Sequence, residues 1–270
     1  MKQLLSCAIF LAAMLIAAPA GAQESLAISP ARTLDARAEL QAANWQVLEP
    51  GLSLLHGRSA GGIEFSAFQI DQSKLRFELA VQSVPDGERV EDFGRRANAV
   101  LAVNGGFFGE KEPGKGLFSV GLLRRNGKQF SPNWPIAGGY LLFGERGIKI
   151  ARSAKSPPER QQAILQSKPL LIAPGGQWAM NTNQELSRPR TLVCELASRE
   201  LILLVVFGSG MSLFEAGWLL RDESAGGYFG CNAALAMDGG GSTQLWVAGH
   251  GALAVKGETN VHNALVLVRR

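Results

Sequence analysis

The sequence predicts a single α+β domain in which a mixed β-sheet dominates and a few helices flank it. Three observations support this fold class. Apolar residues occur in short runs of strand length, and several runs alternate with polar residues at period 2. Glycine is abundant, with 32 of 270 residues, and clusters at the ends of these runs, where turns need its conformational freedom. Helix signals are few by comparison.

The strands follow from local patterns. Residues 63–70 and 75–81 alternate apolar and polar side chains, as expected for a strand with one buried face. Residues 99–103 are continuously apolar, which suits a strand buried on both faces. Asn126-Gly127 between two apolar segments indicates a tight hairpin turn. Further strands are predicted over residues 139–143, 148–151, 170–172, 191–196, 201–206, 233–237, 245–247 and 264–268.

Helices are predicted over residues 90–97, 158–166 and 213–221. The second of these begins with a Pro-Pro pair and Glu159, residue types that favour a first helical turn. The third is preceded by Ser212, which has the capping-box spacing to Glu215.

The N-terminal segment 1–22 has the pattern of a signal peptide. Met1-Lys2 supplies a positive start, an apolar run follows, and Ala20-Gly21-Ala22 forms a small-x-small cleavage site. The apolar run is short for a membrane-spanning helix. We therefore expect a periplasmic or secreted protein without stable membrane insertion after signal cleavage. Residues 23–50 are predicted to be a helical or poorly ordered lead-in, and residues 51–270 the main domain.

The charge distribution argues against nucleic acid as a partner. The formal net charge is +4, but the basic residues are scattered along the chain. No basic stripe interleaved with aromatic residues is present, and such a stripe is the usual footprint of a nucleic-acid-binding surface.

Two cysteines, Cys194 and Cys231, lie beyond the predicted signal peptide. In an oxidising compartment they could pair as a disulfide. Both lie in apolar, strand-like runs, where buried free thiols are equally common. The sequence leaves the two alternatives open.

Two glycine-rich motifs directly follow predicted buried strands. Asn104-Gly105-Gly106 follows one strand, and Asp238-Gly239-Gly240-Gly241-Ser242 follows another. In each motif a strand delivers a polar side chain to its end, and the glycines let the backbone turn and a ligand approach closely. Outward-facing amides at such turns can bind an anion. We therefore place the active site at these motifs, with a turn that binds no ligand as the alternative.

These motifs resemble those of the phosphodiester-glycosidase family, in which Asn-Gly-Gly-Phe-Phe and Asp-Gly-Gly-Gly-Ser each follow a hydrophobic strand. Shorter segments agree with the family in order, namely Gln166–Leu170, Arg190-Thr191, Gly210–Glu215 and Asn263–Leu265. The resemblance extends over roughly residues 97–268. It implies a hydrolase that cleaves a sugar-1-phosphodiester, or a related cell-envelope glycan linkage, at the anomeric carbon.

The resemblance and the chemistry together suggest roles for individual residues. Asp238 is predicted to be the carboxylate nearest the reacting centre and Glu215 the second, since carboxylates stabilise an oxocarbenium-like centre and present water or act as nucleophile. Arg190 is predicted to bind the phosphate, because a guanidinium can do so bidentately. The other predicted substrate-binding residues are Asn104, Gly105, Gly106, Gly239, Gly240, Gly241, Ser242 and His262.

Each main assignment has a structural alternative. Glu215 could serve only to cap its helix, Arg190 could form a structural salt bridge, and Asp238 could hold the glycine turn by accepting backbone N–H bonds. Tryptophans could stack on a sugar ring, although most are expected in the core. The candidates are Trp134, Trp178, Trp218 and Trp246.

Two other functions compete with hydrolysis. A non-catalytic periplasmic carbohydrate-binding module for exopolysaccharide assembly would keep the fold and tolerate loss of Asp238. A metal-dependent phosphodiesterase would use Asp238, Asn104, Glu215 and His262 as ligands. The sequence has only 3 histidines and no tight ligand spacing, so no metal site or cofactor is predicted. A divalent cation at the acidic residues stays an open alternative, and the expected partner is a carbohydrate or sugar phosphate.

Overall fold

The computed structural model describes residues 31–110, 112, 114–135, 138–154, 161–180 and 186–270. The predicted signal peptide lies outside these residues. The described part of the predicted lead-in forms a helix and a strand, and both belong to the body of the fold.

The described part of the chain contains three α-helices, α1 (Ala31–Ala42), α2 (Val90–Arg96) and α3 (Leu213–Leu220). Short 3₁₀ turns occur at Glu223–Ala225, Gly240–Ser242 and Gly251–Leu253. The strands are β1 (Gln46–Glu49), β2 (Leu52–Arg58), β3 (Ile63–Ile70), β4 (Leu75–Val81), β5 (Leu101–Asn104), β6 (Phe108–Glu110), β7 (Leu117–Ser119), β8 (Leu123–Arg125), β9 (Lys128–Ser131), β10 (Gly139–Gly144), β11 (Gly147–Ala151), β12 (Ala163–Ser167), β13 (Leu170–Ala173), β14 (Gln177–Trp178), β15 (Arg188–Leu196), β16 (Leu201–Met211), β17 (Cys231–Ala236), β18 (Leu245–Val247) and β19 (Asn263–Arg269).

The strands form several sheets. An eight-stranded sheet has the order β1-β2-β3-β16-β15-β17-β13-β14, a five-stranded sheet the order β11-β10-β12-β8-β9, and a four-stranded sheet the order β18-β5-β19-β4. Strands β6 and β7 form a separate pair. The sheet-rich α+β class is thus confirmed, but the single mixed sheet is wrong. All pairings between the described strands are antiparallel. Parallel pairs need long crossovers, usually helical, and this chain has few helices to supply them.

Strand β16 shows how the main core is divided. Leu201, Leu203 and Val205 point into a large cluster shared with the five-stranded and four-stranded sheets. Ile202, Leu204 and Val206 point to the other face, toward α1 and α3. This alternation follows from the two-residue period of a strand. The eight-stranded sheet is therefore buried on both faces along its centre, as its continuous apolar run requires.

The helices cover the outer faces of two sheets. Helix α1 contributes Ala36 and Leu40 to the cluster on the eight-stranded sheet, and every residue of α3 is buried against the same sheet. Helix α2 packs Val90 and Phe93 on the other face of the four-stranded sheet. The layers therefore run from α1 and α3, through the eight-stranded sheet and the two smaller sheets, to α2.

Most predicted elements are confirmed by the structure, including the hairpin at Asn126-Gly127 between β8 and β9. The predicted helix over residues 158–166 is wrong in its described part, because residues 163–167 form the fully buried strand β12. A strand in the middle of a sheet is buried on both faces, so its residues do not alternate between apolar and polar. A short apolar run without alternation does not distinguish a strand from a buried helix. Residues 158–160 of that prediction lie outside the described residues.

Cys194 on β15 and Cys231 on β17 form a disulfide that joins two neighbouring strands of the eight-stranded sheet. Both residues are buried in the cluster beneath α1 and α3. Of the two alternatives that the sequence left open, a disulfide or two buried free thiols, the structure contains the disulfide. None of the described helices is long and apolar enough to cross a membrane.

Candidate active site

The two glycine-rich motifs meet where strands from different sheets end. Asn104 ends β5 of the four-stranded sheet, and Asp238 follows β17 of the eight-stranded sheet. The side-chain amide of Asn104 donates to the carbonyl oxygen of Asp238 at 2.7 Å, and the Asp238 amide donates to the carbonyl of Gly105 at 3.0 Å. Two sheets are therefore joined directly at the predicted site.

Asn104 is completely buried, and its side chain is fully occupied by protein. Its Oδ1 atom accepts hydrogen bonds from the Thr191 hydroxyl at 2.6 Å and from the Gln244 amide at 3.2 Å. The predicted contact with substrate does not fit this placement. Asn104 instead holds the backbone of both motifs in position.

Gly105 and Gly106 are likewise bound internally. Their amides donate to the carbonyl oxygen of Asn263 at 3.0 Å and to its side-chain Oδ1 at 2.8 Å, respectively. A Cβ atom on Gly105 would lie 2.1 Å from Asn263 Oδ1, so this position requires glycine for close packing. The predicted anion-binding role of these two amides is therefore wrong, since both protons are already used by Asn263.

A cavity of about 440 Å³ opens on the Asp238 side of the junction. Its described lining is Phe107, Lys168, Pro169, Leu186, Arg188, Arg190, Leu213, Met237, Asp238, Gly239 and Gly240. It therefore brings Asp238, Arg190 and two of the motif glycines together, as predicted from the sequence. Asp238 is the one acidic side chain in this described lining, which also contains three basic side chains.

Burial raises the pKa of Asp238 above its ordinary value of 3.8. Hydrogen bonds from the Ser242 side chain and from the Gly239 amide, at 2.9 Å from Oδ1, act in the opposite direction and favour the carboxylate. A carboxylate that is partly desolvated in a cavity, yet held by two donors, is a frequent feature of catalytic sites. Ser242, which forms one of these hydrogen bonds to Asp238, is itself buried.

The turn after Asp238 uses its glycines for different purposes. Gly240 adopts a φ of +61°, which favours glycine over residues with a side chain. A Cβ atom on Gly239 would lie 3.0 Å from the carbonyl oxygen of Pro189, and one on Gly241 would lie 2.8 Å from a carboxylate oxygen of Glu258. Among the described residues no acceptor is recorded for the amides of Gly240 and Gly241. Gly240 lines the cavity, and the anion-binding role of these two N–H groups stays a prediction.

Arg190 is held in place from two sides. Its Nε atom donates to the carbonyl of Met211 at 2.9 Å, and one terminal nitrogen donates to the carbonyl of Leu186 at 2.9 Å. The guanidinium lies against the cavity beside Gly239. A guanidinium is a residue type suited to binding a phosphate through two parallel N–H groups.

Glu215 lies in a different environment. Its Oε2 accepts the Ser212 amide at 2.7 Å, and the Ser212 hydroxyl accepts the Glu215 amide at 3.0 Å, which completes the predicted capping box. Oε1 pairs with Arg32 of α1 at 3.5 Å. Glu215 is buried and does not belong to the described cavity lining. The predicted role as second catalytic carboxylate does not fit this placement.

His262 is buried beside Asn263, and its Nδ1 lies 3.3 Å from the Asn263 side-chain nitrogen. It also lies outside the described cavity lining. His262 thus belongs to the support behind Gly105 and Gly106 rather than to the cavity wall.

Within the described residues no group of three or more His, Cys, Asp and Glu side chains could hold a metal ion. Asp238, Glu215 and His262 therefore do not form the ligand set of the metal-dependent alternative. Among the described lining residues of the cavity, Asp238 is accompanied by Arg188, Arg190 and Lys168.

A family profile for phosphodiester glycosidases matches residues 97–268. The chain belongs to the phosphodiester glycosidase family. This family consists of hydrolases acting on phosphodiester-linked glycans, so a sugar-linked substrate is indicated. No curated protein sequence matches the chain at a significant level.

Solved structures share this phosphodiester-glycosidase fold. The catalytic domain of zebrafish N-acetylglucosamine-1-phosphodiester alpha-N-acetylglucosaminidase, auto-inhibited by its pro-peptide, aligns with a TM-score of 0.62 at 16% identity, covering 85% of this chain and 87% of that chain. A protein from Synechocystis aligns with a TM-score of 0.59 at 13% identity, covering 84% of this chain and 64% of the other. A Burkholderia pseudomallei protein aligns with a TM-score of 0.51 at 14% identity, with 80% and 74% covered.

The cavity of this phosphodiester glycosidase also contains residues that the sequence did not single out. Arg188 lies two positions before Arg190, and this spacing along a strand was an available signal for a shared face. In the sequence, Lys168 occurred only as a member of the segment Gln166–Leu170 that resembles the family. Phe107 occurred only as the residue after Gly106. None of the hydrogen bonds and ion pairs recorded for the described residues involves the Arg188 guanidinium or the Lys168 ammonium.

Proposed function

We propose that this phosphodiester glycosidase hydrolyses a sugar-1-phosphodiester, or a related cell-envelope glycan linkage, at the anomeric carbon. The observation that carries the proposal is the composition of the cavity wall. Asp238, whose pKa is raised by burial, lines the same cavity as Arg188, Arg190 and Lys168. This arrangement suits a substrate that brings a phosphate to the cations and a developing positive charge to the carboxylate.

The cations provide the phosphate site. Arg190 is fixed by two backbone carbonyls, and Arg188 has no recorded partner among the described residues, so its donors are available to a ligand. Gly240 lines the same cavity, and its amide is a further donor for the phosphate. Charge-assisted hydrogen bonds of this kind bind phosphate strongly and stabilise the charge that builds up as it leaves.

Asp238 provides the negative charge that stabilises the sugar carbon during the reaction. During the reaction the bond between the anomeric carbon and the phosphate oxygen breaks, and its electron pair leaves with the phosphate. The oxygen of a water molecule forms the new bond to carbon, and its proton is released, so the products are a free sugar and a phosphomonoester. The ionised Asp238 stabilises the oxocarbenium-like centre and orients the water. Phosphate is a good leaving group, so a strong general acid is not required.

The location of the protein belongs to the same proposal. The N-terminal sequence has the pattern of a signal peptide, and a substrate in the cell envelope requires an exported enzyme. We propose that the mature chain acts in the periplasm or outside the cell.

The decisive experiment is hydrolysis of a panel of α-linked sugar-1-phosphodiesters by the purified mature protein, with and without a chelator. Asp238→Asn and Arg188→Ala are compared with Arg58→Ala, which removes an exposed arginine that does not line the cavity. Release of free sugar and phosphomonoester is expected, insensitive to chelator. We expect Asp238→Asn to lose at least about a hundredfold in kcat. Arg188→Ala should raise KM about tenfold or more, since a charge-assisted hydrogen bond is lost.

Three outcomes would overturn the proposal. Loss of activity on chelation, with cleavage between phosphorus and oxygen, would indicate a metal-dependent phosphodiesterase. Glycan binding that survives Asp238→Asn without any turnover would indicate the carbohydrate-binding module. An equal effect of Arg58→Ala and Arg188→Ala would show that the cavity is not the phosphate site.

A further inference from the structure

We propose that Trp134, Lys168 and Phe107 form a glycan subsite that selects a sugar ring carrying an anionic group of its own. This inference rests on the proposed function, because it assigns the part of the substrate that lies beyond the scissile phosphate. It deepens that function by naming the substrate class, an acidic glycan.

Trp134 has the placement of a binding residue rather than of a core residue. It is 41% exposed, whereas Trp218 is buried at 4%. Its backbone is nevertheless fixed, because the buried side chain of Gln166 accepts the Trp134 amide at 2.9 Å and donates to its carbonyl at 2.7 Å. A large aromatic ring is thus held at the surface, where part of its apolar area is exposed to solvent. Rigid, partly exposed aromatic rings are effective binding surfaces because little conformational entropy is lost on contact.

Lys168 connects this ring to the cavity. Its Nζ atom lies 5.7 Å from the ring centroid of Trp134 and 5.9 Å from that of Phe107. Phe107 and Lys168 both line the cavity, and Trp134 is joined to it through its contact with Lys168. The two rings hold the ammonium group by cation–π attraction without neutralising its charge. Among the described residues no carboxylate pairs with Lys168.

The charges of the cavity indicate what this ammonium binds. A phosphodiester carries a single negative charge, and the two arginines of β15 with the Gly240 amide suffice for it. Lys168 comes from a different part of the chain, between β12 and β13, and is a further cation beside an aromatic surface. A sugar ring stacked on Trp134 would place a ring carboxylate or a second phosphate within reach of Lys168. The combination of an apolar ring face and an anionic substituent is the chemistry of an acidic polysaccharide.

The chain contains a matched control. Lys128 Nζ lies 4.9 Å from the ring centroid of Phe130, which is 40% exposed, and neither residue lines the cavity. This pair has the same chemistry at a different place on the surface. Trp134→Ala leaves the contacts with Gln166 intact, because these use the backbone of residue 134.

The test measures binding of two oligosaccharides by isothermal titration calorimetry, one of glucuronic acid and one of glucose, matched in length and linkage. Neither contains a phosphodiester, so the result does not depend on hydrolysis. Wild-type protein should bind the acidic oligosaccharide about tenfold more tightly, with a preference that weakens as salt rises. Lys168→Met should abolish the preference, so that the acidic and the neutral oligosaccharide bind with similar affinity. Trp134→Ala should weaken both ligands about tenfold.

The proposal fails if the two oligosaccharides bind equally, or if the preference survives Lys168→Met. It also fails if Lys128→Met and Phe130→Ala have the same effects as the cavity variants, since this would reveal a general surface attraction. Failure in this assay together with normal hydrolysis of neutral sugar-1-phosphodiesters would reject the subsite and retain the proposed function. Selective binding of the acidic oligosaccharide without any hydrolysis of the phosphodiesters would retain the subsite and reject the proposed function.

Discussion

The side-chain amide of Asn104 donates a hydrogen bond to the backbone carbonyl of Asp238 across the junction of two sheets, at 2.7 Å. The position of the cavity carboxylate is thus set by a residue that no solvent reaches. The motif at Asn104 thus supports the motif at Asp238, which lines the cavity.

Replacing Asn104 with alanine should cost stability and activity together. The substitution leaves the Asp238 carbonyl, the Thr191 hydroxyl and the Gln244 amide without their buried partner. We expect a loss of about 2–4 kcal/mol in the free energy of unfolding. Asn133→Ala, which removes an exposed acceptor of the Tyr140 hydroxyl, should change it by less than about 0.5 kcal/mol. Urea denaturation measures both, and equal effects would contradict the support role of Asn104.

Asp238→Asn should make the protein more stable at neutral pH while it removes activity. Burial raises the pKa of Asp238, so the folded protein holds this proton more tightly than the unfolded chain does. The wild-type stability therefore falls as pH rises from 3.8 through the raised pKa, and asparagine avoids this loss. The variant can still accept the Gly239 amide. A gain of about 1 kcal/mol would raise Tm by about 2–4 °C.

The test of this gain is its dependence on pH. Thermal unfolding of the two proteins should differ at neutral pH and converge below about pH 3, where Asp238 is protonated in both the folded and the unfolded state. A variant that is less stable at neutral pH, or a difference that persists in acid, would contradict the assignment.

The raised pKa of Asp238 should also appear in catalysis. If the ionised carboxylate acts, kcat/KM falls as Asp238 becomes protonated in the free enzyme, and the acid limb of the profile reports its pKa. We expect this limb above the ordinary value of 3.8. Ser242→Ala removes a donor that favours the carboxylate, so the limb should move to still higher pH. If the acid limb of the profile stays at the same pH in Ser242→Ala, the limb does not report the titration of Asp238.

Glu215→Gln should retain most of the activity. Glutamine can still accept the Ser212 amide in the capping box, and the variant loses only the charge in the pair with Arg32. We expect kcat within about threefold of wild type, and a loss of about 1 kcal/mol in stability for Glu215→Ala. Initial rates and thermal unfolding decide the matter. A hundredfold lower kcat at unchanged Tm would instead make Glu215 the second catalytic carboxylate.

Gly105→Ala should disrupt the junction. The new Cβ atom would lie 2.1 Å from Asn263 Oδ1, and that oxygen is held in place by the Gly106 amide. We expect a loss of about 3 kcal/mol or failure to fold. Gly251→Ala is the matched control, because nothing lies within 4 Å of its added Cβ and its backbone needs no positive φ. Circular dichroism on both variants tests the difference, and a stable Gly105→Ala protein would refute the close-packing argument.

The local sequence was sufficient to predict elements whose cause is local. The alternating residues 63–70 and 75–81 are strands, and Ser212 with Glu215 forms the predicted cap of α3. Each of these depends on interactions between residues a few positions apart. The same holds for the turn signal at Asn126-Gly127 and for the two glycine motifs, which mark strand ends wherever those strands pack.

The tertiary structure alone decided how distant segments meet. It turned residues 163–167 into a buried strand, paired Cys194 with Cys231, and brought Lys168 and Arg188 to Asp238. It also directed the Asn104 side chain into the junction. The physical reason is that strand pairing and side-chain direction depend on contacts far apart in sequence, which a local pattern does not encode.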